Sequence, residues 1–290
     1  MLAPVLEREE YVEQAYFFRV LRERLRDQFP AQEILTHIHE EILTTTKLPY
    51  AIQYLATEIK HSGVLAPGFE RLSHYFTPFQ AFVVRKSEEE GLRFSFDMAL
   101  AILEAEARYR SESPTPAGLF LFEFEVLCRH RLGYDEGLLR IQRDGFFDEA
   151  WRQFMETVRR SIGEIEFSDL IYLYSELYAK EHPSESERVM IVFGEKEGKI
   201  AKASHGRDPL YFFAAIQRQL GYPAVPRPPS KDDLTVQVGT LKAKVRELEQ
   251  RIRLLDAELR GQVDIIQNLG RPETKMPGST QAPSIQWPED

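Results

Sequence analysis

The chain has little cysteine, no excess of basic residues and no long apolar run. Cys128 is the single cysteine among 290 residues, which excludes an internal disulfide and any zinc site built from several cysteines. Lys and Arg number 37 against 46 Asp and Glu, so a formal charge of -9 gives no overall attraction to nucleic acid. No segment reaches the roughly 18 apolar residues that cross a bilayer, and the first residues lack a secretion signal. We therefore expect a cytoplasmic protein with neither a membrane nor a nucleic-acid partner.

Catalytic and cofactor-binding motifs are missing as well. The sequence contains no glycine-rich phosphate loop, no Gly-x-Ser-x-Gly turn and no His-Glu-x-x-His zinc motif. Cys128 lies two residues before His130, and this spacing directs two side chains to different sides of a helix. We interpret the thiol as a buried structural one. These observations favour a protein that is not an enzyme and has no cofactor.

The most regular pattern is a heptad repeat over residues 233–269. Its apolar residues recur in alternating steps of four and three, which keeps one narrow stripe facing a partner helix and is typical of a left-handed coiled coil. Gln262 alone interrupts the stripe. The predicted seam consists of Leu234, Val238, Leu241, Val245, Leu248, Ile252, Leu255, Leu259, Ile266 and Leu269.

The same repeat predicts how many helices pair and in which direction. One core position holds β-branched residues and the other leucines, a combination that favours two parallel strands. In a parallel pair, Lys244 of one copy faces Glu249 of the other and attracts it. The alternative is one long helix that packs on its own globular domain, although such helices usually have a wider apolar stripe. The pattern therefore favours a parallel homodimer.

Residues 1–220 show a succession of amphipathic helix patterns and predict a multi-helix globular domain of the mainly α class. Helix starts are indicated by a proline or a capping residue at Pro49, Thr77 and Thr115. The stretch 168–182 is apolar on nearly all sides, so we expect it to form one helix at the centre of the domain.

Residues 184–204 fit two different structures. The stretches 188–193 and 199–204 are extended candidates on either side of a turn-rich pentapeptide, which favours a small β-hairpin. A helix that begins at Ser184 is the alternative, although each interior glycine weakens a helix by about 1 kcal/mol.

The composition changes after residue 220. Residues 221–232 contain four prolines, which is typical of a stiff, extended linker. Residues 270–290 combine four prolines with few apolar residues, the composition of a disordered tail. The sequence thus predicts a helical domain, a linker, a coiled coil and a tail.

Two groups of residues are candidates for a chemical site. Glu58 and His61 have the Glu-x-x-His spacing of helical di-iron sites, which need a second such motif; Glu33 and His37 are one residue too far apart to supply it. If these four side chains converged, the protein would be a helical-bundle enzyme that depends on a metal. The alternative is a set of surface pairs.

The second group is basic and would grip an anion or a phosphate. It consists of Lys199, Lys202, His205 and Arg207. The alternative interpretation is the solvated edge of the hairpin.

Since a helical domain, a linker and a coiled coil are the layout of an interaction protein, we expect a homodimeric scaffold that also binds an unknown protein partner.

Overall fold

The computed structural model describes residues 4–89, 91, 94–186 and 190–227, together with ten residues of the segment 238–252. The chain divides into two units, residues 1–228 and 229–290. The described part of the first unit consists of helices and connections without a β-strand. The prediction of a mainly α protein is confirmed. No helix in the described ranges is long and apolar enough to cross a membrane.

Short connections join the helices of the first unit. A single 3-10 turn, His39–Glu41, follows the second helix. The α-helices are α1 (Arg8–Arg26), α2 (Ala31–Ile38), α3 (Leu48–Ser62), α4 (Ala66–Arg71), α5 (Pro78–Glu88), α6 (Phe96–Ser111), α7 (Pro116–His130), α8 (Tyr134–Ile141), α9 (Glu149–Ser161), α10 (Phe167–Leu173), α11 (Glu176–Glu181), α12 (Pro183–Ser186), α13 (Glu195–Ala203) and α14 (Pro209–Leu220).

The helices begin where the capping residues predict. The Thr77 hydroxyl accepts from the backbone N–H of Gln80 at 3.1 Å, and the Gln80 side chain accepts in return from the Thr77 N–H, which completes a capping box before α5. Thr115 caps α7 by accepting from the N–H of Gly118 at 3.1 Å. Pro49 lies in the first turn of α3, where the backbone N–H that proline lacks would have no acceptor within the helix. These three predictions are confirmed.

Helices α1 and α6 pack side by side in opposite directions. At one end, the Nε of Arg8 donates to the carbonyl of Ser111 at 3.1 Å. At the other end, Arg26 forms an ion pair with Asp97. Because the start of α1 lies against the end of α6, the two amphipathic helices bury one face of each other along their length.

Helix α7 is the buried helix of the domain. Every residue from 118 to 127 is buried, and the helix packs against α6, α8 and α14. The ring of Phe120 contacts Phe124, Trp151 and Phe154, with ring centroids 5.5–5.7 Å apart. The apolar residues of α7 alternate as in a strand, yet they fold as a helix because all of its sides are covered.

The predicted central helix over residues 168–182 is wrong: this stretch forms the two short helices α10 and α11. Ser175 interrupts the helix, since its hydroxyl caps α11 by accepting from the N–H of Tyr178 at 3.3 Å. The carbonyl of Tyr174 accepts from the N–H of Phe193 at 3.1 Å. The carbonyl of Tyr174 thus accepts from a distant segment of the chain and not from an N–H of the same helix.

The predicted β-hairpin is also wrong. Its second half lies in helix α13, and the described residues before α13 form only the isolated bridge between Ser175 and Phe193. Gly198 lies inside α13, where a Cβ atom would come within 2.3 Å of the Ser175 hydroxyl oxygen. This glycine therefore allows the close approach of α13 to the start of α11 instead of forming a turn.

The first residues of the predicted linker pack on the helical domain. Tyr222 and Val225 are only 2% and 4% exposed. The Tyr222 hydroxyl donates to Glu125 at 2.8 Å, and the Nε2 of His130 lies 2.8 Å from the carbonyl oxygen of Pro226. Tyr222 and Val225 therefore belong to the packed helical domain. Residues 228–232 and the predicted tail lie outside the described residues.

Candidate functional site

Half of the predicted seam lies within the described residues of the second unit. Each of these side chains belongs to a residue in helical conformation and is 48–62% exposed. Because helical residues three and four positions apart share one face, they form a continuous apolar stripe, the exposed seam. It consists of Val238, Leu241, Val245, Leu248 and Ile252. The remaining seam residues, Leu234, Leu255, Leu259, Ile266 and Leu269, lie outside the described residues.

The lysines of the predicted anion site are balanced by carboxylates. Lys199 lies 2.6 Å from Glu195, and Lys202 lies 2.7 Å from Glu181. Hydrogen bonds from Lys180 and Lys199 lower the pKa of Glu195 to about 2. Both lysines of the predicted anion site therefore already have an acidic partner.

His205 and Arg207 lie in the connection between α13 and α14. The Nδ1 of His205 lies 2.8 Å from Asp169 and 3.8 Å from Glu166, and the hydrogen bond to Asp169 raises the pKa of His205. Glu166, Asp169 and His205 offer possible metal-ligand atoms within 4.8 Å of one another. The hydrogen-bonded His and Asp pair accounts for this geometry without an ion. No sequence motif signals it, because 36 positions separate the two residues.

The four residues of the alternative metal site are not brought together. Glu33 and His37 line one small cavity of about 180 Å³, while Glu58 forms an ion pair with Arg71 at 2.7 Å. Among the described residues, Glu33, His37, Glu58 and His61 do not form a group of converging ligands. The structure therefore does not support a metal site built from these four residues.

A buried charged cluster surrounds Arg110 of α6. The Arg110 guanidinium donates to Glu123 at 2.9 Å and to Asp144 at 2.6 Å, and it also pairs with Glu106. Gln80 donates to Glu106 at 2.7 Å. All four charged side chains are at most 2% exposed. The cluster joins α6 to α7 and to the connection between α8 and α9.

Three carboxylates around one guanidinium leave an excess of negative charge. Burial raises the pKa of Glu123 well above its ordinary value, against the opposing effect of Arg110, and Glu106 and Asp144 raise it further. Burial also raises the pKa of Glu106. Burial disfavours the charge of Arg110, but the three carboxylates outweigh this effect and raise its pKa. The Glu123 Oε2 has no hydrogen-bond partner among the described residues.

An apolar cavity of about 450 Å³ lies beside the C-terminal half of α7 and the start of α14. We call it the α7–α14 cavity. Its volume falls within the range of roughly 300–1,000 Å³ that is common for small-molecule sites. Its apolar walls are formed by Phe124, Ile162, Ile165, Phe167, Leu210 and Phe213.

Cys128 lines the α7–α14 cavity and is exposed, so the prediction of a buried thiol is wrong. The residue lies one turn after Phe124, on the same face of α7. Desolvation by the surrounding protein raises the pKa of the thiol to about 12, and Glu125 adds to this effect. The raised pKa favours the neutral thiol over the nucleophilic thiolate.

Comparison with known proteins gives no relative: no family model matches the chain, and no curated protein or solved structure is significantly similar to it.

Proposed function

We propose that this protein is a homodimeric scaffold, in which residues 233–269 of two copies form a parallel coiled coil that brings two helical domains together. The observation that carries the proposal is the exposed seam. Five large apolar side chains on one helical face are about half exposed in a single chain. A second copy of the same helix is the partner that the heptad spacing fits.

The energy for this association comes from apolar burial. Fully burying one side chain such as Leu or Ile contributes about 1.5 to 3 kcal/mol, and every seam residue is buried in both copies of a dimer. Truncating one buried leucine typically costs about 2 to 5 kcal/mol. A few seam residues are thus sufficient to determine whether the dimer forms.

The charges beside the seam support the parallel direction. Lys244 and Glu249 are both exposed and flank the seam residues. In a parallel pair in register, each Lys244 lies near a Glu249 of the second copy, and opposite charges at these flanking positions set partner choice and orientation.

The test replaces Leu248 and Ile252 together by Asp in the full chain. We expect the wild-type protein to sediment at twice the 33.7 kDa of one chain, and the double variant at the mass of one chain at micromolar concentration. The double change Thr240→Asp with Gln250→Asp is the matched control, because it adds the same charge to the same helix outside the seam. Circular dichroism reports whether the helical domain stays folded.

A wild-type protein that sediments as a single chain would contradict the proposal. A Leu248→Asp, Ile252→Asp variant that remains dimeric would place the interface on the helical domain instead. Dissociation of the control variant as well would show a general effect of negative charge and not of the seam.

A further inference from the structure

The α7–α14 cavity is an apolar space formed entirely by residues of the first unit. Binding in it therefore does not require the proposed dimer. Three phenylalanine rings form one wall: Phe124 and Phe167 have centroids 4.3 Å apart, and Phe213 lies 6.3 Å and 6.0 Å from them. Leu210 and Ile165, at the opening, are 51% and 39% exposed. Accessible apolar side chains beside a cavity favour the binding of an apolar molecule there, because its binding removes apolar surface from water.

The charges around the cavity are predominantly negative. Arg129, the arginine in its lining, already forms an ion pair with Glu125, which is itself buried. Glu164 and Glu166 lie in the same lining and are exposed. Glu166 accepts from the N–H of Gly206 at 2.9 Å and lies 3.8 Å from the Nδ1 of His205, while Glu164 has no cationic partner among the described residues. A cation at the opening is therefore attracted, and an anion is repelled.

The ring of Phe167 strengthens the preference for a cation, because it is partly exposed, whereas Phe124 and Phe213 are only 1% and 3% exposed and lie behind it. The face of an aromatic ring carries partial negative charge and attracts ammonium groups, and quaternary ammonium ligands are commonly recognised in this way. The carboxylates at the opening and the partly exposed ring of Phe167 thus act in the same direction. From this combination we propose that the α7–α14 cavity binds a small apolar molecule that carries an ammonium group.

Cys128 makes the occupancy of the cavity measurable. It is the only cysteine of the chain and lies in the cavity lining, so its modification by a small methanethiosulfonate gives one mass shift per chain. The modification rate is measured in the full protein at one fixed alkaline pH, with octyltrimethylammonium, octanoate or octanol present. The three probes share one alkyl chain and differ in the charge of the head group. Free N-acetylcysteine controls for effects of the probes on the reagent.

We expect octyltrimethylammonium to protect Cys128 at a concentration about tenfold lower than octanoate, with octanol between the two. Tetramethylammonium, which lacks the chain, is expected to give little protection. Calorimetric titration of the Cys128→Ser protein with the same probes confirms binding without the thiol. In the Glu164→Gln, Glu166→Gln variant, the difference between the cationic and anionic probes should fall severalfold, while octanol still protects.

A matched variant separates the cavity from the general charge of the protein. Glu149 and Asp135 are 69% and 66% exposed and lie outside the cavity lining, so the Glu149→Gln, Asp135→Asn variant should keep the wild-type preference. Absence of protection by all three octyl probes would overturn the proposal. Protection by octanoate at the same or a lower concentration than the ammonium probe would also overturn it, as would an equal loss of preference in both double variants.

Discussion

Arg110 and Asp144 form an ion pair inside the helical domain, with Nη2 and Oδ2 2.6 Å apart and both side chains 2% exposed. The two residues are 34 positions apart, one on α6 and the other after α8. An isolated charge at this depth is very unfavourable, whereas a paired and hydrogen-bonded one is tolerated. The pair therefore holds the connection between α8 and α9 against α6.

Removing Arg110 should destabilise the domain strongly. The change Arg110→Met leaves Glu106, Glu123 and Asp144 buried without their cation, and breaking such a cluster typically costs about 3 to 5 kcal/mol. Arg108 is the control: it is 57% exposed and pairs with Glu104 on the same helix, so Arg108→Met should cost about 1 kcal/mol or less. Urea unfolding measures both changes. Equal losses in the two variants would contradict the structural role of the cluster.

Glu123 should make the stability of the domain depend on pH. Its pKa is higher in the folded than in the unfolded chain, so the folded state holds more protons above the ordinary value of 4.5. Its stabilising contribution is complete below that pH and is lost as the pH rises through the raised pKa. Glu123→Gln keeps the shape of the side chain without the charge, and it should reduce this loss.

The measurement is the free energy of unfolding of both proteins from about pH 5 to pH 8. The change at the exposed Glu112, Glu112→Gln, is the control and should keep the wild-type dependence on pH. If Glu123→Gln lost as much stability with rising pH as the wild type, the carboxyl of Glu123 would not be the source of the dependence.

Tyr222 should contribute to the stability of the helical domain although it lies in a proline-rich segment. It is 2% exposed and donates to Glu125 at 2.8 Å, so Tyr222→Ala in the full chain should cost about 3 to 5 kcal/mol, as for other large core side chains. Tyr222→Phe keeps the ring and should cost about 1 kcal/mol. Limited proteolysis with trypsin should accordingly cut after Lys231 before it cuts after Arg218. Unchanged unfolding of Tyr222→Ala would indicate a free linker.

The direction of the proposed coiled coil can be measured by disulfide formation. In a Cys128→Ser background, Leu241→Cys places one thiol at a seam position near one end of the repeat. A parallel pair in register brings the two thiols together, whereas an antiparallel pair centred on the repeat separates them by several turns. Rapid oxidation to a cross-linked dimer is expected. Thr240→Cys in the same background, outside the seam, should oxidise more slowly, and equal rates would contradict the assignment.

Sequence patterns identified the helices best where the determinants are local. Thr77 and Thr115 mark helix starts because the capping hydrogen bond lies within four residues of the chain. The predicted helix over 168–182 failed because the break combines the cap at Ser175 with a contact from Phe193, whose N–H reaches the carbonyl of Tyr174 from a distant segment. Local spacing contains no information about such a contact.

The candidate sites show the same division. The seam follows from spacing alone, whereas the α7–α14 cavity combines residues of α7, the turn after α9 and the start of α14, which no motif joins. The buried thiol was predicted because free cysteines are usually buried and His130 is wrongly spaced to activate it. Whether the residues around Cys128 enclose the thiol or leave a space depends on how three separate segments pack.

The sequence by itself therefore determined the helical class of the protein, the capped starts of its helices and the heptad pattern of its C-terminal segment, since each depends on residues within a few turns of one another. Only the tertiary structure decided that Arg110 gathers three carboxylates, that Gly198 serves a close helix contact and that Tyr222 belongs to the core. These features join residues that are far apart in the chain. Their energies depend on burial and on exact partners, which arise only when the helices have packed.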